Sequence, residues 1–177
     1  MKRLPSLLLV LLLTPVVLAC TPAGNQPQTT SSPLLSDPTS HPTPPPTLPV
    51  IDRFTLDDLL AQDGGGCGMT LWHRDDGLRS ARYLFFNGLA QPSADAVTLM
   101  KLNGEFIRFR RIAASGDEFY GQQTLQIFAS PDNTIKLQVN VTLGEPGEIE
   151  SVSVEGTLQL QQNGGMTEIP VLGDAGC

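Results

Sequence analysis

The chain has 177 residues, a formal charge of −7, 40% hydrophobic residues, 15 prolines, 17 glycines, three cysteines and two histidines. That length fits one globular domain plus a non-globular part and argues against two full domains. The acidic balance suits the chain poorly to a nucleic-acid backbone, and three cysteines cannot build a multi-cysteine zinc module.

The averages conceal three segments, because nine prolines fall between Thr21 and Val50 while all ten aromatics lie from Phe54 onward. Residues 1–19 read as an export signal: Lys2 and Arg3 open it, Leu7 to Leu13 form an aliphatic run, and Pro5 and Pro15 interrupt it. The apolar stretch is shorter than the roughly 20 residues a membrane-spanning helix needs. VLAC at 17–20 resembles the lipobox of bacterial lipoproteins, in which the cysteine is lipidated and the signal cut away before it. Val17 and Ala19 fit that pattern, and Leu18 is bulkier than the small residue usual at its place. The resemblance implies a mature chain that begins at a lipidated Cys20. Two or more acyl chains there supply stable anchoring, at about 0.8 kcal/mol per buried methylene. Loss of Lys2 and Arg3 takes the charge from −7 to −9, so lipid, and no basic patch, must hold the domain at an anionic membrane. Thr21, in place of Asp, favours the outer membrane in a two-membrane bacterium.

Residues 20–50 form the lipidated cysteine and a tether rich in Pro, Thr and Ser, with Asp37 as its charged residue. Too few apolar groups are present to offset chain entropy, and the prolines favour extended conformations. Fully extended, thirty residues reach on the order of 90 Å. His41 lies here and reads as solvated.

Residues 51–177 read as one all-β domain. Thr55 and Asp58 have the spacing of a capping box, and Leu56, Leu59 and Leu60 share a face of a short helix stopped at Gly64. Thereafter the period is two. Ile135, Leu137, Val139, Val141 and Leu143 alternate with polar residues, as do Val152, Val154, Leu158 and Leu160, with Gly156 on their apolar side where a neighbouring backbone approaches closely. Asn103 with Gly104 is the strongest two-residue hairpin signal. With runs at 69–73, 82–86, 97–102, 105–112 and 124–129 and three later ones, about eight antiparallel strands are predicted, as a small barrel or sandwich.

Cys67 and Cys177 are predicted to pair, closing a loop of about 110 residues and constraining the unfolded chain by roughly 4 to 5 kcal/mol in the entropic account. A nucleophilic Cys67 would need a base, and His73 is the domain's histidine. His73 itself lacks His or Cys companions for a metal and reads as a strand-end residue; Glu145, Glu148 and Glu150 read as a solvated hairpin tip, so no metal and no cofactor are expected. Arg74, Arg79 and Arg82 surround one hairpin and Arg108, Arg110 and Arg111 crowd one strand. If those strands are neighbours, they form a face that grips carboxylate or phosphate groups; otherwise the arginines are charges that pair locally and discourage edge-to-edge association.

The segments GCGMTLW, YLFFNG and MKLNGEFIRF resemble exported bacterial lipoproteins of unknown function, of cyanobacterial type, a resemblance that implies export and anchoring and no activity. The expected function is a non-enzymatic binding or structural module of the cell envelope. Its membrane contact is the lipid on Cys20, and its partner an envelope protein or anionic polymer. One alternative is a carrier holding a small apolar ligand inside a barrel, lined by Phe85, Phe86, Phe106 and Phe109. Another is a periplasmic inhibitor, since small lipid-anchored β-barrels that inhibit lysozyme share this general plan.

Overall fold

Alternating apolar residues need a common surface to cover, and here they find it on a single antiparallel sheet. The computed structural model describes residues 47–89, 96–147 and 149–177. The export signal, Cys20, His41, most of the tether and Glu148 lie outside the described residues. Among the described residues, no helix is long and apolar enough to cross a membrane.

The elements run in chain order as β1 (Ile51–Asp52), a helical turn α1 (Leu56–Leu60), β2 (Gly68–His73), a 3₁₀ turn (Arg74–Asp76), β3 (Phe85–Gly88), β4 (Thr98–Leu102), β5 (Glu105–Arg108), β6 (Arg110–Phe119), β7 (Gln122–Ala129), β8 (Ile135–Pro146), β9 (Ser151–Gln162) and β10 (Gly165–Gly176). They form one ten-stranded sheet in the order β1-β4-β3-β2-β10-β9-β8-β7-β6, with β5 paired to β4. Met100 pairs with Phe85 of β3 on one side and Ile107 of β5 on the other. Phe109 alone separates β5 from β6, so the two ends of the sheet are consecutive stretches of chain and the sheet must curl to bring them together.

This corrects the expected closure. The sheet is neither two packed sheets nor a ring: it is not closed into a barrel, because its path ends at β6. The strand count also differs. The run at 105–112 divides at Phe109, whose N–H donates to Thr98 O at 2.9 Å, and its second part continues to Phe119. Nine of the ten residues of β6 are exposed, so no apolar alternation marks the strand in the sequence. The two-residue β1 is too short to carry a pattern.

Two apolar clusters result. Inside the curl lie Met69, Leu71, Phe85, Met100, Phe128, Leu137, Val139, Leu158 and Val171, among others; outside it, Phe54 and Leu59 cover Phe86 and Leu99. Strands β3 and β4 are thus buried on both faces, which suits runs that do not alternate cleanly between apolar and polar residues. Thr55 opens α1 with reciprocal bonds: its hydroxyl accepts from Asp58 N at 3.2 Å and its own N–H donates to Asp58 Oδ2 at 2.9 Å. Of the three leucines expected to share a buried face, Leu59 is buried, whereas Leu56 and Leu60 are exposed. A single turn presents only one side chain to the sheet.

The Asn103–Gly104 turn has positive φ at both positions, 52° and 82°, as a two-residue hairpin of this twist requires. It also clasps the domain entrance. Asn103 N donates to Val50 O, Val50 N to Asn103 Oδ1 at 2.9 Å, and Gly104 N to Asp52 Oδ2 at 2.6 Å. Gly156 sits between Val141 and Val171 in the ladder. A Cβ there would lie 2.8 Å from Val141 Cα and closer still to Asn140 O, which accounts for glycine on the apolar side of β9.

Among the described residues no ladder joins the two ends of the sheet, and buried side chains instead link β3 and β4 to β7. Asn87 Nδ2 donates to Gln122 Oε1 and Gln126 Oε1, Thr98 Oγ1 donates to Asn87 Oδ1 at 2.7 Å, and Gln126 Nε2 donates to Gln122 Oε1. Gln122 Nε2 returns to Asn87 O, and Arg111 Nη1 reaches Gln126 Oε1 at 3.1 Å. The four uncharged members are at most 3% exposed. Their mutual satisfaction is what makes four buried polar side chains tolerable.

Candidate functional site: a groove on the outer sheet face

Period two along β2 and β10 sends Met69, Leu71 and Ala175 inward and leaves Thr70, Trp72 and Asp174 on the outer face, where Thr70, Asp174 and Ser153 stand side by side across three strands. Two loops rise around them. On one side the chain from Leu78 to Tyr83 returns from the 3₁₀ turn; on the other stand Glu145 to Gly147 and Ile149. The groove between has a volume of about 580 Å³. It opens into a smaller hollow of about 220 Å³ beside Gly68 and Cys177.

Its lining is part apolar and part polar. Leu78 is 85% exposed and Ile149 76%, while Thr70, Ser151 and Ser153 are half-buried and Asp174 is exposed among the same lining residues. Trp72 is buried beneath the first loop and its indole N–H donates to Gly77 O at 2.7 Å, so it fixes the loop and offers no stacking face. Desolvation by the groove walls pushes the Asp174 carboxyl above its ordinary value, and Arg79 offsets part of that rise. A carboxylate and a guanidinium therefore share the groove with hydroxyl groups, an arrangement able to bind peptide-like polar groups between two apolar grips.

The six arginines do not gather on one face. In the sheet, β2 and β5 are separated by β3 and β4, so the hairpin arginines and the strand arginines are not on neighbouring strands as the anion-gripping expectation required. Arg74 Nη2 lies 3.8 Å from Glu155 Oε2. Arg79 lines the groove. Arg82 N donates to Ser80 Oγ at 3.0 Å, and its charge helps hold Asp76 low, after the dominant bond from Arg53. Arg108 donates to Gln62 O at 2.7 Å and faces Asp63 at 3.5 Å. Arg111 donates to Gln126 Oε1, and both it and Arg110 are exposed.

Cys67 and Cys177 are joined, with Cα atoms 4.1 Å apart. His73 Nδ1 accepts from Asp75 N at 3.1 Å and caps the 3₁₀ turn. The described members of the glutamate hairpin act through their backbones: Glu145 O accepts from Ser153 Oγ and Glu150 O from Cys177 N. The four phenylalanines expected to line one cavity are divided. Phe85 and Phe109 belong to the interior, and Phe86 and Phe106 to the outer cluster, because adjacent residues of a strand face opposite ways.

Sequence reasoning missed Leu78, Ile149 and Asp174. The available signal was an isolated large apolar residue in each of two polar turns, DGLRS and GEIE. No protein-family model matches the chain, and no curated protein and no solved structure is significantly similar to it.

Proposed function

We propose that the chain is an envelope lipoprotein, anchored through lipid on Cys20, whose β domain is a binding module rather than an enzyme and takes a protein partner in the outer groove. The observation that carries this reading is a pair of highly exposed apolar residues, Leu78 and Ile149, that line one groove together with polar Thr70, Ser151, Ser153 and Asp174. Large apolar side chains exposed at a groove are typical anchors for a partner chain. The charges inside favour protein over an anionic polymer: Asp174 and Glu145 both line the groove beside the single guanidinium of Arg79, and a polyanion would meet two like charges for each opposite one. The disulfide fits an oxidising compartment outside the cytoplasm, in keeping with an outer-membrane or other envelope location.

Two measurements test the two halves. A photo-crosslinking side chain at position 78, and separately at 149, should capture one and the same protein in intact cells, and Arg79→Glu should weaken both adducts; adducts no stronger than those from exposed Met166 would end the groove assignment. A fatty-acid label should enter the wild-type chain and be absent from Cys20→Ser. Label retained in that variant would remove the anchor.

A further inference from the structure

The sheet ends at β6, a ten-residue strand that pairs with β7 on one edge; among the described residues no ladder covers the other edge. Such an edge exposes a row of backbone donors and acceptors and is a template for another strand. Its sequence, RRIAASGDEF, is basic at one end, acidic at the other and small in the middle.

We propose that β6 pairs antiparallel with β6 of a second copy of this chain, about a two-fold axis at Ala114. This register sets Arg110 opposite the partner's Glu118 and Arg111 opposite the partner's Asp117, and symmetry repeats both pairs. Ile112 then faces a glycine, the partner's Gly116, and Ala113 faces the partner's Ser115, so nothing bulky meets at the centre. Directly opposed residues share a face of the sheet, and Arg110 and Glu118 are both exposed. Among the described residues neither of these, nor Asp117, takes part in an ion pair. The neighbouring symmetric registers are poorer. Centred on residue 113, Arg110 and Arg111 face glycine and serine; centred on 115, they face Tyr120 and Phe119.

Two irregularities interrupt the β6–β7 ladder, at Ile112 and at Gly116 with Asp117. They fall on either side of Ala114 and so come together across the axis. Straight pairing is then confined to the small central residues, and the outer charges hold the ends. Bulges and end charges are also devices that keep an edge unpaired, and the experiment separates the two outcomes.

Because residue 114 faces its own copy, Ala114→Cys in the full chain should give a disulfide-linked homodimer in the oxidising envelope, visible on a non-reducing gel. Lys136→Cys, two strands away on β8, should not. Arg110→Glu combined with Ala114→Cys should lower the cross-linked fraction about tenfold, because like charges directly opposite repel at both symmetric positions. Adding Glu118→Arg should restore it. All these side chains except Lys136 belong to the exposed run of β6, so folding is not at stake. A monomeric Ala114→Cys chain, cross-linking equal to that of Lys136→Cys, an adduct with a different protein, or no effect of charge reversal would each overturn the pairing.

Discussion

Asn87→Ala should be among the most damaging single substitutions in the domain. It deletes two donations from Nδ2, to Gln122 and Gln126, and the acceptance from Thr98. The two glutamine oxygens keep other donors, Gln126 Nε2 and Arg111 Nη1, but the Thr98 hydroxyl, 3% exposed, loses its acceptor. Three bonds at about 1 kcal/mol each, with an orphaned hydroxyl added, give a loss of about 3–5 kcal/mol. For a domain of this size that corresponds to a melting temperature lower by roughly 10–20 °C. Urea unfolding followed by the fluorescence of buried Trp72 measures the loss. Adding Thr98→Val removes the orphan and should recover about 1 kcal/mol relative to the sum of the single changes. A loss below about 1 kcal/mol, or strict additivity of the two substitutions, would refute the view that these amides link β3 and β4 to β7.

Reduction of the Cys67–Cys177 bridge, which spans 110 residues of sequence, should lower stability by up to about 4–5 kcal/mol; an unchanged urea midpoint under reductant would contradict this. Gly156→Ala should cost about 1–3 kcal/mol, since β9 is paired on both sides and the new methyl meets the backbone of β8; calorimetry of the variant checks it. Asp174 titrates above its ordinary value in the folded state, so the folded chain holds that proton longer and stability falls as pH rises from the ordinary carboxylate value to the raised one. Asp174→Asn should therefore raise the urea midpoint at pH 7 and leave it unchanged at about pH 3; a lower midpoint at pH 7 would refute the desolvation account. Asp58, Asp76 and Asp132 are held low, chiefly by bonds from Thr55, Arg53 and Ser130 respectively. Their stabilisation is present above the ordinary carboxylate value and is lost as pH falls through the lowered ones. Asp76→Asn should flatten the acid limb of the midpoint-against-pH curve, and an unchanged slope would contradict this.

Where one face of a strand is dry and the other wet, the sequence announces it: Ile135 to Val141 and Val154 to Leu160 are buried and oriented as their alternation predicts. Asn103–Gly104 likewise encodes its own turn through two positive φ angles. The signal fails where burial does not alternate. β6 is wet on both faces and reads as nothing in particular. β3 and β4 are dry on both, so Phe85 and Phe86 cannot be assigned to a face from composition. The Tyr120–Gly121 turn is hidden for another reason, since tyrosine at a φ of 42° is not a residue that turn chemistry favours. The groove was invisible because Thr70, Ser153 and Asp174 meet only through the register of three strands, and the arginines misled because sequence proximity to a hairpin is no guide to which strand lies beside it.

The bridge between Cys67 and Cys177 encloses β2 through β10 in one covalent loop. Tension applied between Val50 and Cys177 would, once the lead before Cys67 has peeled away, pass through the bridge and leave the strands inside the loop unloaded. The extensible part is the lead before Cys67: the clasp of Val50 and Asp52 on the Asn103–Gly104 turn, and the single helical turn behind it. That lead has a fully extended length of about 60 Å at ~3.5 Å per residue, and peeling it releases the part of this length not already spanned in the fold. The domain would then yield under pull as a short shock cord ending in an inextensible knot.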